Sequence, residues 1–406
     1  AMTLTEGSMA EAPKRIAAII TSFWRMSHAE VIVGRLLEGY YYQGERQHPR
    51  VKIVSMYVDQ FPENDMSREI AAKHNIPIHA SIEAALQMGG EDLAVDGVVI
   101  IGEHGVYPFN IKGQEIYPRY HFYRQVVDVF RKSGRCVPVF CDKHLSHDWD
   151  EARWMYDMSI SMGFPLMAGS SLPVAWRKPE LELELETPVT HAVVVNHGEK
   201  ERYGIHTLEA LQCMVERRQG GETGVSTVQC IEGDVVWTWT DDHDWASQLL
   251  TAAIARCPEA EGDLREQTPA PILFIIEYRS GLRAACYLLN GYIKSAAFAA
   301  RVHGSDGPVT TAFEVQARPY AHVSGLVYHT EEMMLSGRSS WPVERVLLAT
   351  GMLAAAFDST YRHGNTIPHG RVVETPHLGI AYRATAASVF QRGPKPDVDP
   401  DFGIGP

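Results

Sequence analysis

The 406-residue sequence lacks the features that mark several classes of protein. Its six cysteines include no Cys-x-x-Cys pair, which argues against a zinc ribbon or a disulfide framework and favours reduced thiols in a cytoplasmic protein. There is no run of Lys and Arg and the net charge is −13, so we expect no nucleic-acid partner. No apolar run approaches the roughly 18 residues of a membrane span, so we expect no membrane partner.

The remaining sequence is typical of a two-domain α/β protein. Residues 1–13 are polar and without the apolar core of a signal peptide, which predicts a disordered leader or tag remnant. Residues 14–176 alternate short apolar runs with helical patterns, which predicts a Rossmann-like domain built on a doubly wound parallel sheet. After a stretch rich in Pro and Glu, residues 177–406 predict an α+β domain with an open, mostly antiparallel sheet.

Several elements of the second half are predicted individually. A long strand is expected at 226–240 and others at 191–196, 272–278, 282–290, 294–302 and 310–318. The turns at 279–281 and 290–291 predict hairpins. Helices are expected at 205–218 and at 342–357, the second capped by Ser340.

Four segments hold the residues that carry chemistry, and each lies at the end of a predicted strand or the start of a helix. They are IITSFWRMSHA at 19–29, VVIIGEH at 98–104, GRCVPVFCDKH at 134–144 and YGIH at 203–206. An insertion at 105–119 follows the second segment, and a loop of this length at the carboxyl end of a strand is more often functional than idle.

These four segments, in this order, resemble the motifs of the Gfo/Idh/MocA oxidoreductases, the glucose–fructose oxidoreductase and inositol dehydrogenase family. The resemblance extends from Arg15 to about Thr360. It implies NAD(P)-linked hydride transfer on a sugar-like or polyhydroxylated small molecule. It also implies a homodimer or higher homo-oligomer.

The first segment departs from the family where the dinucleotide binds. The family has a GxGxxG loop there, but this sequence has Ile20, Ser22 and Arg25 at the three glycine positions, and only the following His28 and Ala29 match. Bulky residues crowd the place where the diphosphate approaches the backbone. The helix that Ser27 caps still offers free N–H groups to an anion. The resemblance assigns the cofactor to residues at three strand ends, namely Ser22, Phe23, Trp24, His28, Asp59 and Asp142.

The other segments supply the predicted catalytic and substrate residues. Lys143 corresponds to the family lysine that orients substrate, and His206 to the acid/base histidine. Glu103 and His104 point at the crevice where such sheets bind ligands. For the substrate we name Arg202, which replaces a family aspartate, together with Tyr203 and Arg177. Asp59 has a second interpretation as the start of a turn.

Two other functions stay open at this point. The same cleft, using Glu103, His104, Lys143 and His206, could serve a hydrolase or lyase without a dinucleotide. Such an enzyme could use a divalent metal, for which the candidate ligands are His104, His144, His197 and His206. A degenerate nucleotide site could also survive in a ligand sensor without catalytic activity.

Overall fold

The computed structural model describes residues 12–315 and 320–396. The predicted leader falls on residues 1–13, of which 1–11 lie outside the described residues, as does the end of the predicted strand 310–318. Within the described part, no helix has both the length and the apolar character needed to cross a bilayer.

The first half of the chain alternates strands and helices as predicted. Its strands are β1 (Lys14–Ile20), β2 (Tyr40–Tyr42), β3 (Glu45–Gln47), β4 (Val51–Val58), β5 (Ile78–His79), β6 (Gly97–Ile101), β7 (Val139–Asp142), β8 (Leu166–Gly169) and β9 (Trp176–Lys178). Its helices are α1 (His28–Glu38), α2 (Ser67–His74), α3 (Ile82–Gln87), α4 (Arg119–Ser133) and α5 (Trp149–Met162).

Six of these strands form a parallel sheet in the order β5-β4-β1-β6-β7-β8. The sheet buries both faces, so its central strands read as continuous apolar runs rather than alternating ones. In β1, Ala17 and Ile19 face a core with α3 and α4, while Ile16 and Ala18 face a core with α1. The Rossmann-like doubly wound sheet is thereby confirmed.

The second half is richer in strands. Its strands are β10 (Val189–Asn196), β11 (Val225–Glu232), β12 (Ile272–Tyr278), β13 (Arg283–Leu288), β14 (Ala296–Val302), β15 (Val309–Glu314), β16 (Tyr361–Arg362), β17 (Asn365–Thr366) and β18 (Val373–Glu374). Its helices are α6 (Lys200–Val215), α7 (Val235–Asp241), α8 (Asp244–Ile254), α9 (Leu264–Gln267), α10 (Val323–Ser336) and α11 (Glu344–Thr360).

A second sheet of the described residues runs β18-β11-β12-β13-β10-β14-β15-β9. Its one parallel pair is β10 with β13, and the other neighbours are antiparallel. The mostly antiparallel sheet is confirmed. One face packs on α6 and α11, and the other is covered by α7 and α8. The homodimer or higher homo-oligomer that the resemblance implies stays a prediction.

Helix α10 crosses back to the first sheet. Its residues Leu326, Val327 and Met333 share a core with Val99 of β6 and with α1. The predicted domain boundary near residue 177 stays a prediction, but the first sheet is completed by a helix from beyond it.

Several local predictions in the second half are wrong. The strand at 226–240 ends at Glu232, because Gly233 (φ 77°) turns the chain into α7. There Thr240 Oγ1 donates to the carbonyl of Val236, so a β-branched residue is held in helical structure. The turn at 279–281 does join β12 and β13 as a hairpin, whereas Asn290-Gly291 joins no hairpin because β10 lies between β13 and β14.

Three boundaries near the predicted site also differ. Helix α6 begins at Lys200, so the YGIH segment lies inside the helix rather than before it. The apolar run at 136–140 predicts a strand there, but β7 runs from Val139 to Asp142, which places Lys143 directly at the strand end. Helix α11 begins at Glu344 without a side-chain cap. Ser340 Oγ instead shares a hydrogen bond of 2.8 Å with His329 Nδ1.

A buried ion pair joins α6 to α11 and gives a test of the fold. Arg345 donates to both oxygens of Glu216 at 3.0 and 2.6 Å, and both side chains are at most 4% exposed. We expect Glu216→Ala to lower the free energy of unfolding by about 3–5 kcal/mol, since it leaves a buried guanidinium unpaired. Urea denaturation measures the change.

The matched control is the exposed pair of Arg153 and Asp157 on α5. Asp157→Ala should cost no more than about 1 kcal/mol. Equal losses in the two variants would contradict the structural role given to the buried pair.

Candidate active site

A cavity of about 530 Å³ lies between the carboxyl edge of the first sheet and the first turns of α6. We call it the interdomain cavity. Its volume is in the range of pockets that hold one small molecule. It brings together nine of the residues predicted from the sequence, namely His28, Glu103, His104, Asp142, Lys143, His197, Arg202, Tyr203 and His206.

The backbone around this cavity is unusual. Among the described residues nine that are not glycine have a left-handed φ, and four of them line the cavity. They are Met26 (68°), His104 (70°), Lys143 (62°) and Tyr320 (60°). Such conformations are costly for residues with a Cβ and concentrate at functional sites.

Glu103 is the electrostatic centre of the site. Its carboxylate is 5% exposed, accepts a hydrogen bond from Lys143 Nζ at 2.7 Å and forms an ion pair with Arg119. Arg119 reaches it because Gly102 has no side chain: a Cβ there would lie 2.5 Å from Arg119 Cγ. Burial alone would raise the pKa of Glu103, but the Lys143 and Arg119 charges outweigh it and hold this pKa well below its ordinary value.

Lys143 is held in place by both domains. Its Nζ also donates to the backbone carbonyl of Arg202 on α6, at 3.2 Å, and the residue is only 4% exposed. Two of its three N–H bonds are therefore used by protein, and the third is available to a molecule in the cavity.

His206 lies on α6, in the cavity wall, and its buried Nδ1 has no hydrogen-bond partner among the residues that the structure describes. Burial, followed by the charge of Lys143, holds the pKa of His206 well below its ordinary value. The imidazole is therefore neutral near pH 7.

Two further histidines, His28 at the start of α1 and His104 after β6, lie near each other in the cavity wall. His28 Nδ1 lies 2.6 Å from Asp142 Oδ2, and Asp142 is 2% exposed. The ring of His104 lies 5.1 Å from that of His28 and 4.7 Å from that of Trp24. Burial, then the charge of His28, lowers the pKa of His104 to about 4.

The loop of residues 21–27, where a dinucleotide would lie, is bonded to its own protein. The N–H of Thr21 donates to Ile101, that of Trp24 to Ser27 Oγ and that of Met26 to the carboxylate of Glu30. Ser27 Oγ also accepts from the N–H of Glu30, so it is the side-chain cap of α1. Ser27 thus caps α1 as predicted, but a buried carboxylate lies where the diphosphate of a dinucleotide would bind.

Asp59, the predicted partner of the adenosine ribose, is hydrogen-bonded within the protein. Its two oxygens accept hydrogen bonds from the hydroxyl groups of Tyr57 and Tyr107, each at 2.7 Å. Gln60 bonds to the N–H and the carbonyl of Val106 at 2.8 and 3.0 Å, which ties the insertion to the end of β4. The predicted ribose partner therefore binds a tyrosine of the insertion.

The remaining predicted residues lie outside the interdomain cavity. Ser22 and Phe23 are at most 1% exposed beneath the loop. Arg177 is buried in β9, where it donates to Leu181 and Pro173, and His144 is buried behind Lys143. The metal candidates form no ligand set: the described residues include no group of three His, Cys, Asp or Glu side chains that could hold an ion.

Other residues of the site were missed by sequence reasoning. Arg119 lies in the insertion that was noted, but nothing in the sequence pairs it with Glu103. The cavity also includes Asn196, Lys294, Tyr320 and His322. The last two precede α10, a helix that sequence analysis did not predict, so no motif could place them there.

The fold combines a Rossmann-like parallel sheet with a mostly antiparallel second sheet, and the interdomain cavity is the candidate ligand site. No protein-family model and no curated protein matches the sequence. Among solved structures, GenD2 from gentamicin A biosynthesis, in complex with NAD, is similar at a TM-score of 0.56 and 14% identity, covering 92% of this chain and 99% of that chain.

Two further structures have the same architecture. Myo-inositol 2-dehydrogenase from Lactobacillus plantarum gives a TM-score of 0.52 at 11% identity, covering 89% of this chain and 99% of that one. An oxidoreductase from Agrobacterium radiobacter, in complex with NAD+, L-tartaric acid and magnesium, gives 0.51 at 13%, covering 89% and 98%. The fold is therefore that of Gfo/Idh/MocA-type NAD-binding dehydrogenases, as the resemblance implied.

The neighbours that contain NAD support the predicted NAD or NADP at the level of the fold. The residues of this chain do not fit that group in the arrangement described here. The loop N–H groups donate to acceptors of the protein itself, and the Glu30 carboxylate lies at the expected diphosphate position. The Tyr107 hydroxyl donates a hydrogen bond to Asp59, the expected ribose partner.

The depressed histidine pKa values predict acid sensitivity. His104 has a pKa of about 4 in the folded chain against 6.5 ordinarily. Between these values the unfolded chain binds a proton that the folded chain refuses, so stability is full above pH 6.5 and falls towards pH 4. We expect His104 to contribute about 1–3 kcal/mol to this fall.

Urea denaturation across that pH range measures it. The fall should be shallower in His104→Gln and unchanged in His121→Gln, a control at an exposed position on α4. The same slope in all three proteins would refute the assignment to His104.

Proposed function

We propose that the chain is an enzyme that exchanges protons with an anionic, polyhydroxylated small molecule in the interdomain cavity. His206 acts as the base and Lys143 as the proton donor. The observation that carries the proposal is the pairing of a neutral histidine with a lysine held by Glu103, on one cavity wall. Titratable groups whose environments favour opposite protonation states are the usual basis of acid/base catalysis.

The anionic character of the substrate follows from the charges of the lining. Both acidic residues, Glu103 and Asp142, are bonded to cations or histidine. Within the described residues no ion pair involves Arg202 or Lys294, so these two cations face the cavity without a carboxylate of their own. A carboxylate or phosphate group of the substrate would complete them.

The two active groups favour one order of steps. Neutral His206 takes a proton from a carbon next to the substrate's carboxylate. The C–H electron pair forms a C=C bond as a neighbouring C–O bond breaks, and Lys143 gives its proton to the departing oxygen, which leaves as water. The buried carboxylate of Glu103 keeps Lys143 in place and stays ionised throughout.

Substitution of the two groups tests this proposal. We expect Lys143→Met and His206→Gln each to lower kcat/KM by about 10²–10⁴-fold, since each removes one proton-transfer partner. The assay follows consumption of a panel of sugar acids by NMR, with unfolding curves to confirm that both variants fold.

Lys132→Met on the exposed face of α4 is the matched control and should keep full activity. Full turnover in the two cavity variants would rule out catalysis at this site. Saturable binding of a sugar acid by the wild-type chain without turnover would favour the ligand sensor instead.

Two reaction classes use these same groups. An NAD(P)-linked oxidoreductase is the class that the solved neighbours favour, and there the proton transfer accompanies hydride transfer at a substrate carbon. A lyase or hydrolase without dinucleotide is the class that the loop of residues 21–27 favours. The local geometry supports the second class best.

Cofactor dependence separates the two classes. We expect turnover of the active sugar acid to be the same with and without added NAD+ or NADP+, with no absorbance change from a reduced nicotinamide. Turnover that requires a dinucleotide would assign the oxidoreductase class. The charcoal-treated protein serves as control against a co-purified cofactor.

A further inference from the structure

We infer that Glu30 replaces the dinucleotide diphosphate, so that this scaffold keeps its ligand loop closed by its own side chains. The inference goes beyond the proposed function, because it concerns the dinucleotide position and does not use the acid/base roles of Lys143 and His206. Its basis is the set of contacts around the loop of residues 21–27.

The carboxylate of Glu30 performs the bonding role of an anion at this loop. It accepts from the N–H of Met26, one turn before its own position in α1, and is 2% exposed. Arg25 Nη1 lies 3.9 Å from its other oxygen. A second anion bound at the same N–H groups would meet a buried negative charge at close range, which is strongly unfavourable.

The aromatic contacts close the path that a dinucleotide follows across the sheet. The rings of Trp24 and His104 lie 4.7 Å apart, and they join the loop after β1 to the loop after β6. On the far side, Tyr107 of the insertion donates to Asp59. The crevice at the switch point is thus spanned on both sides of the diphosphate position, while the interdomain cavity beyond it stays available to substrate.

Binding of NADH and NADPH, followed by intrinsic fluorescence and by isothermal titration, tests the inference. We expect the wild-type chain to bind neither with a Kd below about 1 mM. Glu30→Gln keeps an oxygen that accepts from Met26 but removes the charge, so binding should tighten by at least about tenfold. Glu69→Gln, at the equivalent third position of α2 and exposed, should bind as the wild type does.

Stoichiometric micromolar binding by the wild-type chain would overturn the inference, and so would unchanged binding in Glu30→Gln. These outcomes are separate from those of the Lys143 and His206 variants. Tight dinucleotide binding with loss of activity in those variants would remove this inference and leave the proposed acid/base site standing. Absent binding with full activity in them would do the reverse.

Discussion

A buried carboxylate that needs two cations organises the active edge of this molecule. Glu103 lies just after β6, a central strand of the first sheet, and an unpaired charge buried there would cost several kcal/mol. Arg119 reaches it from the start of α4, over a glycine that leaves room for its side chain, and Lys143 reaches it from the next strand. The insertion between β6 and α4 therefore has to return the chain so that Arg119 reaches Glu103 at the strand end.

The same constraint joins the two domains. Lys143 adopts a left-handed backbone as it leaves β7, and its Nζ bonds both to Glu103 and to the carbonyl of Arg202 on α6. Position 202 thus contributes a backbone acceptor to the lysine and a cationic side chain to the cavity lining. His206, one turn further along α6, is brought beside Lys143 by the same helix. The proposed acid/base pair of Lys143 and His206 is therefore a product of domain packing rather than of either domain alone.

The sequence allowed much of this arrangement to be predicted, for physical reasons that are local. Strand ends in a parallel sheet meet at one edge, so the apolar runs, together with the family resemblance, placed Glu103, Asp142 and Lys143 close to one another. Long-range pairings could not. Nothing local shows that β10 inserts between β13 and β14, that 235–241 turn helical after Gly233, or that α10 returns to the first sheet with Tyr320 and His322. The role of Glu30 was hidden for a related reason, since a glutamate in a first helical turn is ordinary until its neighbours are known.

The absent glycines acquire a physical meaning from these contacts. A glycine-rich loop leaves N–H groups unbonded and relies on a bound diphosphate to satisfy them. In this chain Ser27 Oγ and the Glu30 carboxylate satisfy Trp24 and Met26, and Phe23 fills the space beneath. This loop needs no ligand to satisfy its N–H groups. Leaving those groups buried and unsatisfied would cost more free energy than the helix cap supplies. A loop that is stable without ligand and a loop that binds a dinucleotide therefore require different residues at these positions. The residues of this chain are those that a loop stable without ligand requires.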